Sequence, residues 1–155
     1  MSDILIKSYI FIFVLGLISI NACSEDDPVA PQEEHFEAIG MIIETSGIRV
    51  ASILRGETDD TLHAFVNIDS DHYEVKFYDE DENIVDPPDD EDQTFDWQID
   101  NPEILEVSQH EAHQGEFEFH LRGKAEGTTF IEFFIMHLGH PDFRSGKFPV
   151  KVSAQ

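Results

Sequence analysis

Glu116-Phe117-Glu118-Phe119-His120-Leu121-Arg122 alternates polar and apolar side chains without a break. A period of two means that one face of an extended segment meets a core and the other meets water, which is the pattern of a half-buried β-strand. The same period recurs on both sides. Leu62, Ala64, Val66 and Ile68 share one face of a run, and Val75 and Phe77 share a face of the next. Phe95, Trp97 and Ile99 follow, then Leu105 and Val107, and Phe148, Val150 and Val152 come last. Residues 36–44 and 48–54 read as two strands joined by Thr45-Ser46-Gly47, a hairpin turn signal. No segment beyond Cys23 sustains a 3.6-residue period.

Residues 128–138 depart from simple alternation. Thr129, Ile131, Phe133 and Ile135 lie on one face, and Phe130, Phe134 and Met136 lie on the other. A strand apolar on both sides calls for cover on both sides, and residues 36–54 are expected to fold over the outer one. Short strands separated by Gly, Pro and Asp turns predict an all-β sandwich. Of the thirteen phenylalanines only Phe11 and Phe13 precede Cys23, so eleven, with Trp97, are expected to furnish the core without a disulfide.

The N-terminus is of another kind. Residues 9–20 (YIFIFVLGLISI) form an apolar run of about 12 residues, shorter than the roughly 20 that a membrane-spanning helix needs and suited to a secretory signal. Ile20-Asn21-Ala22-Cys23 resembles the lipobox of bacterial lipoproteins, which implies cleavage before Cys23 and lipidation of that cysteine. Ser24-Glu25-Asp26-Asp27 resembles the Ser-plus-acidic tag that directs lipoproteins of the Bacteroidetes to the outer cell face. The expected organisation is a signal peptide over residues 1–22, a lipid-anchored acidic tether over 23–34 and a β-sandwich over 35–155. The expected location is the bacterial outer membrane, facing the exterior, with the periplasmic face as the alternative.

A second resemblance covers residues 95–153. Trp97-x3-Asn101-Pro102-Glu103-Ile104-x2-Val107, then Gly127-Thr128-Thr129-Phe130-Ile131, then Val150-Lys151-Val152 is similar to the bacterial immunoglobulin-like group 2 domain. The resemblance implies an immunoglobulin-like β-sandwich, here with an extra N-terminal β-hairpin, and a structural or adhesive role without a common chemistry.

Charge narrows the partners. The chain has 155 residues, 33 acidic and 9 basic, for a formal net charge of -24. Cleavage before Cys23 would remove one acid, Asp3, and one base, Lys7, and leave that figure unchanged. A phosphate backbone is held by clustered Lys and Arg, so no nucleic acid partner is expected. An acidic surface does concentrate cations.

Eight histidines offer ligands for them, at positions 35, 63, 72, 110, 113, 120, 137 and 140. Two pairs share one spacing, His110-x2-His113 and His137-x2-His140. At i and i+3 across a turn, two imidazoles can reach one ion, and neutral imidazole suits zinc and copper. Consecutive antiparallel strands reverse direction, so the loops before residue 117 and after residue 137 are expected at one pole of the sandwich. His110, His113, His137, His140 and Asp142 are therefore the expected metal ligands, with His35 a weaker member and the acidic loop 79–92 nearby. The expected ion is zinc or copper. His63, His72 and His120 read as ordinary surface side chains, with His120 facing outward beside Glu118.

Asp79-x-Asp81-x-Asn83 resembles the start of a calcium loop, but Ile84 takes the glycine position and Asp90 the place of the bidentate Glu, so an acidic turn is expected. His110-Glu111-Ala112-His113 is one residue short of the zinc-protease motif, and neither a Gly-x-Ser-x-Gly elbow nor a phosphate loop is present, so no enzyme is expected. The functional expectation is a surface lipoprotein whose His-rich loops bind a transition metal, for acquisition or for delivery to an outer-membrane transporter or envelope protein. The alternative is an adhesion or protein-interaction module with no metal.

Overall fold

The computed structural model of the chain describes residues 35–110 and 114–155. The signal and tether segments, Cys23 and His113 lie outside the described residues. The described part is all β, and its strands are β1 (Gly40–Thr45), β2 (Ile48–Leu54), β3 (Glu57–Thr58), β4 (Leu62–Phe65), β5 (Tyr73–Tyr78) and β6 (Ile84–Val85), then β7 (Gln93–Ile99), β8 (Leu105–Ser108), β9 (Glu118–Gly123), β10 (Gly127–His137) and β11 (His140–Ser153). They form two sheets. One runs β3-β2-β1-β5-β9-β8, with β6 also paired to β5, and the other runs β4-β11-β10-β7. Thus β5, β8 and β9 share one sheet, and β7, β10 and β11 share the other.

The alternating faces meet between the sheets. Phe77, Phe119 and Leu121 from one sheet and Ile131, Phe133, Ile135 and Phe148 from the other are fully buried. Phe119 packs against Phe133 at 4.8 Å between ring centroids, and Phe95 stacks on Phe133 at 5.2 Å. Each such ring contributes about 1.5–3 kcal/mol by leaving water. Trp97 is only partly buried, and Phe65 and Phe130 are 46% exposed, so the core uses fewer aromatics than expected.

The N-terminal hairpin does not cover the outer face of β10. β1 pairs with β5, Met41 opposite Phe77 and Ile43 opposite Val75, and so extends the other sheet. Met41 and Ile43 are completely buried there, and this position supplies both a hydrogen-bonding edge and a place for their side chains in the core. On the outer face of β10 Phe134 is instead covered by a side chain of β11: the Arg144 guanidinium lies 5.1 Å above its ring while binding Glu132 through both carboxylate oxygens.

Two local devices set up the end of the sandwich near residue 140. Leu138 and Gly139 both have positive φ, 47° and 90°, which is the backbone of a two-residue type I′ hairpin. It places His137 directly opposite His140. Beyond the turn the register slips: Met136 faces Pro141 and Ile135 faces Phe143, so Asp142 is the extra residue of a β-bulge. A bulge re-aims a side chain that regular alternation would send elsewhere.

Candidate metal centre

The bulge turns Asp142 inward at the sheet end, where its side chain is 1% exposed. Three imidazoles surround this carboxylate. Nδ1 of His35 lies 2.9 Å from Oδ1, Nδ1 of His140 lies 3.2 Å from Oδ1, and Nδ1 of His137 lies 3.2 Å from Oδ2. His35 comes from the far end of the chain. The Phe36 ring beside it packs edge-on against Phe77 at 4.9 Å, and the Phe36 N–H donates to the Asp142 carboxylate. An aromatic anchor thus delivers the neighbouring imidazole to the site.

Burial pushes the Asp142 carboxyl up, but the hydrogen bond from His35 and that from the Phe36 N–H, with positive charge on His35 and His137, outweigh it and hold the group below its ordinary 3.8. The site thus keeps a buried negative charge. The two polar atoms facing each other, His137 Nδ1 and Asp142 Oδ2, are buried and make no hydrogen bond. They stand at ion-pair distance without the alignment of a hydrogen bond, so their attraction depends on charge on the imidazole.

The donor set fits a transition metal. One ligand atom from each of His35, His137 and Asp142 lies within 4.8 Å of the others. Two atoms bound to one tetrahedral zinc at 2.0–2.1 Å are separated by about 3.3 Å, close to the Nδ1–Oδ2 and Nδ1–Oδ1 spacings found here. Two nitrogens and a carboxylate, with the exposed His140 beside them outside that group, suit zinc or copper, whereas calcium asks for six to eight oxygens.

His110 stands elsewhere. Gln109 folds its loop back by donating to the carbonyls of Glu116 and Glu118 and accepting from the Gly115 N–H. His110 therefore falls across the outer face of β9, with Nε2 3.2 Å from Nε2 of His120. His35, by contrast, sits in the cluster with His137, His140 and Asp142. The expected union of the two His-x2-His loops is not formed by His110, because the hydrogen bonds of Gln109 hold it beside His120 on the sheet face. Sequence reading passed over His72 and His120, which adjoin His110: their rings lie 5.3 Å apart, edge to face. The signal available was register, since Ser108 faces His120 in the β8–β9 ladder and residue 110 continues on the same face. His63 is exposed on β4.

The acidic segment after β5 is a turn. The Asp79 carboxylate accepts from the N–H groups of Asp81 and Asn83 and from the Asn83 amide, closing the β5–β6 hairpin with its own lone pairs.

No protein-family model matches the chain, and no curated protein matches it. Among solved structures it is similar to domains 4 and 5 of the S-layer protein SbsC, at 20% identity and TM-score 0.43, over 74% of this chain and 54% of that one. It is also similar to a structure of SbsC domains 4–9, at 20% identity and TM-score 0.44, over 63% of this chain and 13% of that one. The chain thus spans about half the length of the first of these and a small part of the second.

Proposed function

We propose that this chain is a lipid-anchored protein of the bacterial outer membrane that binds a zinc or copper ion through His35, His137, His140 and Asp142. The observation that carries the reading is the buried pair His137 Nδ1 and Asp142 Oδ2, 3.2 Å apart without a hydrogen bond. An ion between them would satisfy both atoms at once, and displacement of the imidazole protons would leave the lone pairs pointing inward. The acidic surface supports the reading by raising the local cation concentration. Ile20-Asn21-Ala22-Cys23 supports the anchor, through Cys23. A role in acquiring the ion or passing it to an outer-membrane transporter or envelope protein follows from such a tether, and no cofactor chemistry is required of it.

Calorimetry of the full chain in detergent micelles with zinc and copper tests this. Binding tighter than about 100 µM that His137→Ala and His140→Ala weaken supports the centre. Binding weaker than that, or indifferent to both substitutions, rejects it and favours the reading as a metal-free adhesion or interaction module. That reading is separately tested by capture of envelope proteins that persists in chelator.

A further inference from the structure

We propose that His72, His110 and His120 form a second metal site, which takes one zinc or copper(II) ion on three imidazole nitrogens at the outer face of the seven-stranded sheet. It is separate from the centre at Asp142 and does not rest on it.

The strands place the three rings. Tyr73 faces Phe119 and Ser108 faces His120, so continuing each ladder puts residues 72 and 120 side by side on the face away from the core, with residue 110 arriving from the other flank. One ring nitrogen from each lies within 4.8 Å of the other two. The His110 and His120 rings are 4.9 Å apart and nearly perpendicular.

The surroundings orient them. His120 Nδ1 lies 3.1 Å from the Ser70 carbonyl, an acceptor only, so Nδ1 carries the proton and Nε2 offers its lone pair toward His110. Ser70 is itself locked to β9: its N–H donates to the Leu121 carbonyl and its hydroxyl accepts from the Leu121 N–H. A backbone carbonyl holding the far nitrogen of an imidazole is the usual support for a metal-binding histidine. On the other side Glu118 lies 2.9 Å from His72 Nε2 and brings a largely buried negative charge that favours a cation. Three nitrogens leave coordination positions open, and His110 is exposed, so the ion here exchanges with solvent ligands more readily than one at Asp142.

The test is equilibrium dialysis of the full chain in detergent micelles against zinc, with electron paramagnetic resonance of the copper(II) form. The expected result is two ions per chain. His110→Ala should remove one, weakening that site at least about tenfold, and should also remove a copper signal with nitrogen coupling, while the circular dichroism spectrum stays unchanged. His110 is chosen because its exposed ring carries no core packing, and His120→Gln serves as the second variant. With His137→Ala and Asp142→Asn combined, the ion lost is the other one and the three-nitrogen signal remains. A stoichiometry unmoved by both His110→Ala and His120→Gln overturns the proposal. A single ion lost with His110→Ala and kept with His137→Ala upholds this site while overturning the one at Asp142. A single ion with the reverse pattern overturns this site alone.

Discussion

His137 and Asp142 sit on opposite arms of one hairpin, separated in sequence by four residues, and the bulge at Asp142 brings Nδ1 of the first to 3.2 Å from Oδ2 of the second. In a regular ladder Asp142 would face a partner on β10 and alternate with Phe143. The extra residue releases it from that alternation, and the consequences below follow from where it goes.

Asp142→Asn keeps the shape of the side chain and removes its charge. A carboxylate contributes both a ligand oxygen and the negative charge that three imidazoles share, so zinc affinity at this centre should fall at least about tenfold, by calorimetry.

The same carboxylate gives a pH dependence to the metal-free protein. Its folded value lies below its ordinary 3.8, so its contribution to stability is complete above about pH 4 and is lost as pH falls through the folded value. Urea midpoints of the parent and of Asp142→Asn, measured from pH 6 down to pH 3 with chelator, should converge at the acid end. A gap that widens on acidification contradicts this.

Leu138 holds φ at 47° at the tip of the His137–His140 turn and is 64% exposed. A bulky L-residue in this region costs roughly 1–2 kcal/mol, and asparagine tolerates it better. Leu138→Asn should therefore stabilise the fold by about 1 kcal/mol in urea denaturation, with zinc binding unaltered, because the turn presents its histidines by backbone geometry.

Gly123 on β9 lies against Phe65 of β4 and Val152 of β11 in the other sheet. A Cβ there would stand 2.7 Å from the Phe65 carbonyl oxygen and would also collide with the Val152 side chain. The backbone oxygen cannot rotate away, since Phe65 and Ile68 are bridged and the Asn67 N–H donates to the Gly123 carbonyl. Gly123→Ala should destabilise by about 1–3 kcal/mol, read as a lower urea midpoint with an unchanged slope.

Much of the fold was legible because the signal for a strand is local. Phe117, Phe119 and Leu121 alternate with charged or polar neighbours, and Phe119 and Leu121 are buried as that pattern requires. The edge on which the N-terminal hairpin docks was not legible. Met41 and Ile43 would satisfy either sheet by hydrophobicity alone, and only the pairing with β5 decides between them. The site divides in the same way. The His137-x2-His140 spacing already contains the cross-strand pair, because a two-residue turn sets residues i and i+3 opposite each other. That His110 would part from them and meet His72 and His120 depends on how Gln109 folds its loop, a set of hydrogen bonds to residues seven and nine positions away.

The order of residues by itself determined the strands, their buried faces and the histidine pair across the last hairpin, since each depends on neighbours within a few positions. Only the tertiary structure decided that Asp142 is buried, that His35 reaches it from more than 100 residues away, and that His72, His110 and His120 gather on another face. Those facts turn on a one-residue bulge and on which strand edges meet, and a shift of a single residue reverses the direction in which a side chain points.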